Sequence, residues 1–272
     1  MKRALSFIVL SAFLDLLGAT VLVPVIPYLV RQYSPDALSV GLLALTFSIF
    51  QFIAGPALGR LSDRYGRRPI LLLSVLGSGV GYLVFGFATA LWMLFVGRAI
   101  DGITGGNISV AQAYIADVSA PEDRAKNFGL IGAAFGLGFI IGPALGGMLS
   151  HVSLQAPAFL AAGLTLVTAA FGYFVLPESL PRERRTSGAL TWGDVNPIAQ
   201  VGRVFASPRL RGPLGAMFLM TVAMSSLQTN FAVFTTDVFG YGPADNARVF
   251  VFIGVVSVIV QGGLLRTALK YA

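Results

Sequence analysis

The sequence predicts an all-α, polytopic membrane protein. Three observations carry that expectation. The chain of 272 residues is 56% hydrophobic and only 11% charged, where a soluble domain carries about 25% charge. Its apolar residues gather into stretches of the length that a helix needs to cross the hydrocarbon core, about 20 residues. Its basic residues concentrate in alternate loops between those stretches. Composition also excludes chemistry. There is no cysteine, so disulfides, thiol nucleophiles and Cys-bound metals are out, and the single histidine, His151, cannot build a metal cluster by itself. No cofactor or metal is expected. With no nucleophile–base pair and no nucleotide loop, the chain does not read as an enzyme.

Eight crossings follow in order. The first, 4–30, opens as MKRALSFIVL in the manner of a signal peptide. Its apolar run is too long for one and holds Asp15, Pro24 and Pro27, so it reads as a retained helix. The second and third, 38–59 and 70–88, flank a charged loop. The fourth, 91–117, is parted from the third only by the ATA of 88–90. Residues 127–176 contain no Asp, Glu, Lys or Arg, too long a run for one crossing. The HVSLQAP segment is the natural turn between spans 128–150 and 157–176. Residues 177–209 are polar, basic and rich in Pro, Gly and Ser, and read as a cytoplasmic linker with room for a short surface helix. Spans 210–237 and 246–267 complete the set.

Of the 19 Lys and Arg residues, 16, all but Arg31, Arg98 and Arg248, fall in the N-terminus or in loops on one side of this scheme. The positive-inside rule puts that side, with the N-terminus, in the cytoplasm of a cell (inner) membrane. The same bias accounts for the net charge of +7 without a nucleic-acid partner; the expected partners are the lipid bilayer, a small molecule and protons.

The pentapeptide GPALG occurs at 55–59 and again at 142–146. Span two runs inward and span five outward, so the copies occupy opposite membrane ends of oppositely directed helices. An inverted repeat of spans 1–3 onto spans 4–6 produces that arrangement, and such repeats mark secondary transporters.

The loop after span two reads GRLSDRYGRRP. It resembles the signature loop of the major facilitator superfamily, with Gly59, Leu61, Asp63, Arg64, Gly66, Arg67 and Arg68 all fitting. Gly59 and Gly66 suit tight turns and close helix approach; Asp63 is positioned to face arginines or a helix N-terminus. Span five carries Gly129, Gly138, Gly142, Pro143, Gly146 and Gly147 in the spacing of the superfamily's antiporter signature, which gives a helix a groove of small residues and a proline bend. Span one, with FLDLLG and PVIP, and span four, ALWMLFVGRAIDGITG, resemble the tetracycline efflux pumps and related drug/proton antiporters. The resemblance covers residues 1–176 well and 210–272 weakly.

What this resemblance implies is a major facilitator fold of twelve helices in two bundles. This chain would hold a complete N-terminal six-helix bundle (1–176), the linker (177–209) and the first two helices of the second bundle (210–272). It also implies pairing of Asp117 with Arg67 or Arg68 as a gate lock, and a half-pocket contributed by span seven, where Gln228 and Asn230 are the polar candidates. The complete protein would be monomeric.

The ionisable residues carry the chemistry. Asp15 lies roughly 16 Å into span one and Asp101 comparably deep in span four, where charge is costly and usually functional. Asp101 has Arg98 three residues before it; Asp15 has no basic residue a turn away in its own helix. A desolvated carboxylate can take up and release a proton, so Asp15 is the proton-coupling candidate, with Arg98 and Asp101 modulating the cavity. A helix-packing Asp bonded across helices is the competing reading. On a continuous helix Arg98, Asp101, Gly105, Ser109 and Gln112 share a sector of about 60°, which makes Ser109 and Gln112 cavity candidates. The expected function is proton-coupled efflux of an amphipathic, tetracycline-like small molecule by alternating access. The alternatives are export of a sugar or another drug, and a truncated, non-transporting remnant.

Overall fold

The computed structural model describes residues 2–105, 107–186 and 192–259. Within them, the side chains at 2–6, 107, 125, 126, 135, 192, 194, 203, 209, 228 and 257–259 are outside the description. The described residues form helices and connections, with no strand among them.

Helix α1 (Lys2–Val21) ends where Pro24 approaches, and after one turn α2 (Ile26–Arg31) resumes with Pro27 in its first turn. A proline has no N–H to give and is tolerated at such a start. Span one is therefore two helices rather than one. Asp36 then caps α3 (Ala37–Tyr65), its carboxylate accepting from the Leu38 N–H at 2.9 Å. Helix α3 runs six residues beyond the predicted span. Most of the signature segment is thus its last helical turns, and Gly66 alone turns the chain into α4 (Arg67–Gly86). Gly66 has φ +108°, a conformation open to glycine and strained for other residues.

Span four is also divided. Helix α5 (Leu91–Thr104) ends before the Gly105-Gly106 pair and α6 (Asn107–Val118) follows. Helices α7 (Arg124–Leu149) and α8 (Ala156–Val175) match spans five and six. In the connection that follows lie a short 3-10 turn (Arg182–Arg184), α9 (Trp192–Val195) and α10 (Pro197–Phe205). Next come α11 (Pro208–Phe239) and α12 (Pro243–Ile259), the described part of span eight. Five helices, α3, α4, α7, α8 and α11, are each long and apolar enough to cross a membrane.

Helix α1 packs on α7 and α8, α4 on α5 and α8, α3 on α5, and α12 on α7. Two buried apolar clusters result. One gathers Phe7, Ile8, Ile70, Leu71, Tyr114, Ile115 and Ile131 near the Arg67 end. The other gathers Val21, Leu22, Leu29, Leu43, Phe85, Leu94 and Ala158 toward the far end. Asp15, Ser78, Arg98 and Asp101 fall between them along their helices. Outside, large apolar side chains such as Leu45, Ile53, Leu73, Val167 and Phe174 are exposed, which suits lipid and not water.

Candidate functional site

The polar middle layer opens on a cavity of about 400 Å³ lined from α1, α2, α3, α4, α5, α6, α7 and α11. Its ionisable wall residues are Asp15, Tyr82, Arg98 and Asp101; Thr20, Ser48, Gln51, Ser78, Ser225 and Thr229 add hydroxyls and an amide. Most of the remaining wall is apolar, including Leu43, Phe47 and Phe139. That mixture, a mostly apolar concavity with a few placed polar groups, is what small-molecule sites have in common.

Arg98 and Asp101 are both buried, and Nη1 of the first lies 3.4 Å from Oδ2 of the second. The guanidinium carbon also lies over two rings, 5.6 Å from the centre of Phe47 and 5.4 Å from that of Phe85. Two cation–π contacts help hold the charge where water is scarce. One turn on, Gln51 of α3 donates to the Gly105 carbonyl at 3.0 Å. It thereby satisfies a backbone group that the α5–α6 break would leave unbonded at membrane depth.

Three of the four cavity candidates lie outside this wall. Ser109 and Gln112 are exposed and lie outside the cavity wall, which takes Gly105 and Ile108 instead. The shared sector assumed one continuous helix, and the break resets the angular phase. Asn230 is exposed and its amide donates to the Ser226 carbonyl in its own helix at 3.1 Å; α11 presents Ser225, Thr229 and Ala232 to the cavity. The Gln228 side chain lies outside the described residues.

At the end of the bundle where α3 meets α4, Arg67 is the centre of an ionic network. Its Nη1 meets Asp63 Oδ1 and Ser62 Oγ, each at 2.6 Å, and its Nε meets Asp117 Oδ2 at 3.1 Å. Of the two arginines that resemblance offered Asp117, Arg67 is the partner. Arg68 points elsewhere, donating to the Tyr173 carbonyl and lying over that ring at 5.7 Å. Arg64 lies 5.5 Å from the Tyr65 ring centre. Gly59 is inside α3 with open space around it, not at a turn or a close approach.

The start of the 177–209 connection completes this network, and sequence reasoning missed it. Glu178 Oε1 accepts from the Arg67 backbone N–H at 2.9 Å, capping α4, and its other oxygen lies 3.6 Å from Arg185. Ser179 donates to Asp117 at 3.2 Å, and the Thr186 N–H bonds the Asp63 carbonyl at 3.1 Å. The clustering of PESLPRERR was the available signal.

In α7, Gly138, Gly142 and Gly146 recur every fourth residue and face α1. Thr20 Oγ1 donates to the Gly138 carbonyl at 2.9 Å across this contact. Pro143 is buried, and Gly147 turns to Ala244 and Ala247 of α12. Gly129 stands in open space on the opposite face.

A second polar seam lies at the far end. Tyr28 of α2 donates to the Tyr241 carbonyl at 2.6 Å, accepts from Asn246 Nδ2 at 2.9 Å and lies 2.8 Å from Thr236 Oγ1. Asn246 is fully buried and also accepts from Thr235 at 2.5 Å; Arg31 pairs with Asp237 nearby. Tyr28→Phe leaves the Asn246 amide short of a partner, and an unmet buried donor costs about 1–3 kcal/mol. A lowered melting temperature for the detergent-solubilised variant is the expected result; an unchanged one contradicts the seam.

A helical bundle that is apolar outside and ionisable at its centre, with an ionic network at one end and a polar seam at the other, is built as a multi-pass membrane transporter. Comparison with known proteins gives the family. The Major Facilitator Superfamily profile matches residues 8–271, and the chain belongs to that superfamily. It is 34% identical to the class C tetracycline resistance protein of Escherichia coli over 272 residues, covering 99% of this chain and 68% of that protein. It is 43% identical to the class B protein of the same organism over 171 residues, covering 62% of this chain and 43% of the relative. Among solved structures, the human organic anion transporter MFSD10 (TETRAN) superposes with a TM-score of 0.77 at 28% identity. That match covers 96% of this chain and 71% of the other.

Proposed function

We propose that the protein is a proton-coupled exporter of an amphipathic, tetracycline-like small molecule. The observation that carries the reading is the grouping of Asp15, Arg98 and Asp101 on one largely apolar cavity. Charge is kept at such depth at a cost that function must justify. In this reading Asp15 exchanges the proton, and the Arg98–Asp101 pair sets the field it works in. The Arg67–Asp117 contact holds one end shut as two bundles, 1–176 and 210–272, rock about the 177–209 linker. The N-terminus lies in the cytoplasm beside an inner membrane, in keeping with the loop charges. The names of the tetracycline resistance relatives support the cargo class.

In cells carrying the complete reading frame that encodes this chain, efflux of tetracycline is expected to depend on the proton gradient. Asp15→Asn is expected to slow it at least about a hundredfold, the smaller end of what a placed proton carrier contributes. Gradient-driven transport by Asp15→Asn vesicles at the unaltered rate sinks the proton reading. Export of an organic anion is a second reading, favoured by Arg98 in the wall and by the name of the human relative. Including an organic anion in the efflux panel separates the two.

A further inference from the structure

Asp15 borders two spaces. Besides the large cavity, a second one of about 20 Å³ lies between α1, α4, α6 and α7, with Ser11, Asp15, Leu71, Val75, Ala111 and Ile131 in its wall. Asp15 and Ile108 belong to both walls. The small space lies on the Arg67 side of Asp15 in every helix that lines it. Leu71 is four residues from Arg67, about 6 Å along α4, and Ala111 is six from Asp117, about 9 Å along α6.

A space of this size holds about one water molecule and no drug-sized one. A buried water needs two or more polar partners. Ser11 and Asp15 are one turn apart on α1, so both reach the same spot. The rest of the wall is apolar and offers an ion nothing in place of its hydration shell.

We infer that this space is a water-holding proton site separate from the cargo cavity. The inference rests on the proton-coupled reading above. A water held by Ser11 takes the proton from the Asp15 carboxyl. The O–H bond of the acid breaks, the carboxylate remains, and the hydronium formed gives its proton to bulk water at the Arg67 end, returning to neutral water. Cargo keeps to the larger cavity, so proton and cargo meet at Asp15 without sharing a path. The titratable groups that share the larger cavity with Asp15 are Tyr82 of α4 and Arg98 and Asp101 of α5; α6, α7 and α11 bring none to its wall. Helix α8, also packed on α1, has only Tyr173, which lies at the Arg67 end beside Arg68.

The test uses the complete protein in vesicles with tetracycline as probe and compares two reactions. Uptake driven by a pH gradient requires net proton movement; exchange of tetracycline for tetracycline at equal pH does not. Ser11→Val removes the hydroxyl and fills the space. It is expected to slow gradient-driven uptake at least about tenfold and to leave exchange within about twofold, while Ser11→Thr, which keeps the hydroxyl, restores uptake. Equal loss in both reactions, or loss in neither, overturns the site. Ser11→Ala, which removes the hydroxyl without added bulk, gives the same comparison if Ser11→Val does not reach the membrane. Asp15→Asn separates the two levels of argument. Undiminished gradient-driven uptake there removes the proton reading itself. Its loss there, beside an unaltered Ser11→Val, removes only the water site.

Discussion

Replacing Arg67 with alanine is expected to weaken the protein and to cut its transport by about one to two orders of magnitude. The guanidinium touches Asp63, Asp117 and Ser62 at once. Without it, two carboxylates converge on a space that no longer holds a countercharge. Breaking a buried ion pair costs about 3–5 kcal/mol. Here Asp63 and Asp117 keep 33% and 25% of their side chains exposed, and water screens part of the loss, so about 2–3 kcal/mol remains. On a two-state gate that is a shift of roughly 30- to 150-fold. Arg67→Lys keeps the charge but not the fork that spans both acids, and should fall between. Thermal unfolding in detergent measures the first effect and vesicle uptake the second. An alanine variant with unaltered melting and uptake would show the network to be idle.

The second large effect is expected at Gly146. A Cβ there comes within 3.0 Å of Pro24 Cγ and of the Val21 carbonyl carbon. Backbone at the end of α1 cannot step aside as a flexible side chain can, so Gly146→Ala should cost about 1–3 kcal/mol through overpacking. Lower yield of folded protein in the membrane follows. Gly163 of α8, with nothing within 4 Å of an added Cβ, is the control. Alanine there should be neutral or stabilise by up to about 1 kcal/mol, because a helical glycine costs backbone entropy. Equal melting temperatures for Gly146→Ala and Gly163→Ala would refute the close α1–α7 contact.

The contrast between the GPALG copies bears on what a sequence can disclose. Residues 55–59 and 142–146 are identical, yet Gly55 and Gly59 face open space while Gly142 and Gly146 meet α1. Class and span order were legible because hydrocarbon thickness and loop charge act on every residue of a stretch. Asp15, Arg98, Asp101 and Asp117 were legible because charge inside an apolar stretch is rare and costly. The divisions of spans one and four were present as Pro24, Pro27 and Gly105-Gly106, but the surrounding apolar runs read as unbroken. Ser109, Gln112 and Asn230 lie outside the cavity wall because a shift of one residue, about 100°, decides a helix face. Glu178 could not be paired with Arg67 from spacing, since 111 residues separate them.

The seam around Tyr28 has a consequence for how the chain is made. Its hydrogen bond to Asn246 joins residues 218 apart. At about 5–20 residues per second, roughly 10–40 s of synthesis separates the two partners. For nearly all of that interval the Tyr28 hydroxyl and the Arg31 guanidinium are already in place, while Thr236, Asp237 and Asn246, which they bond, have yet to be made. Water or lipid head groups must serve them until then. The proline-marked break after α1 sets these two residues on a short helix of their own, so their polar groups need not follow the apolar run of α1 into hydrocarbon while they wait.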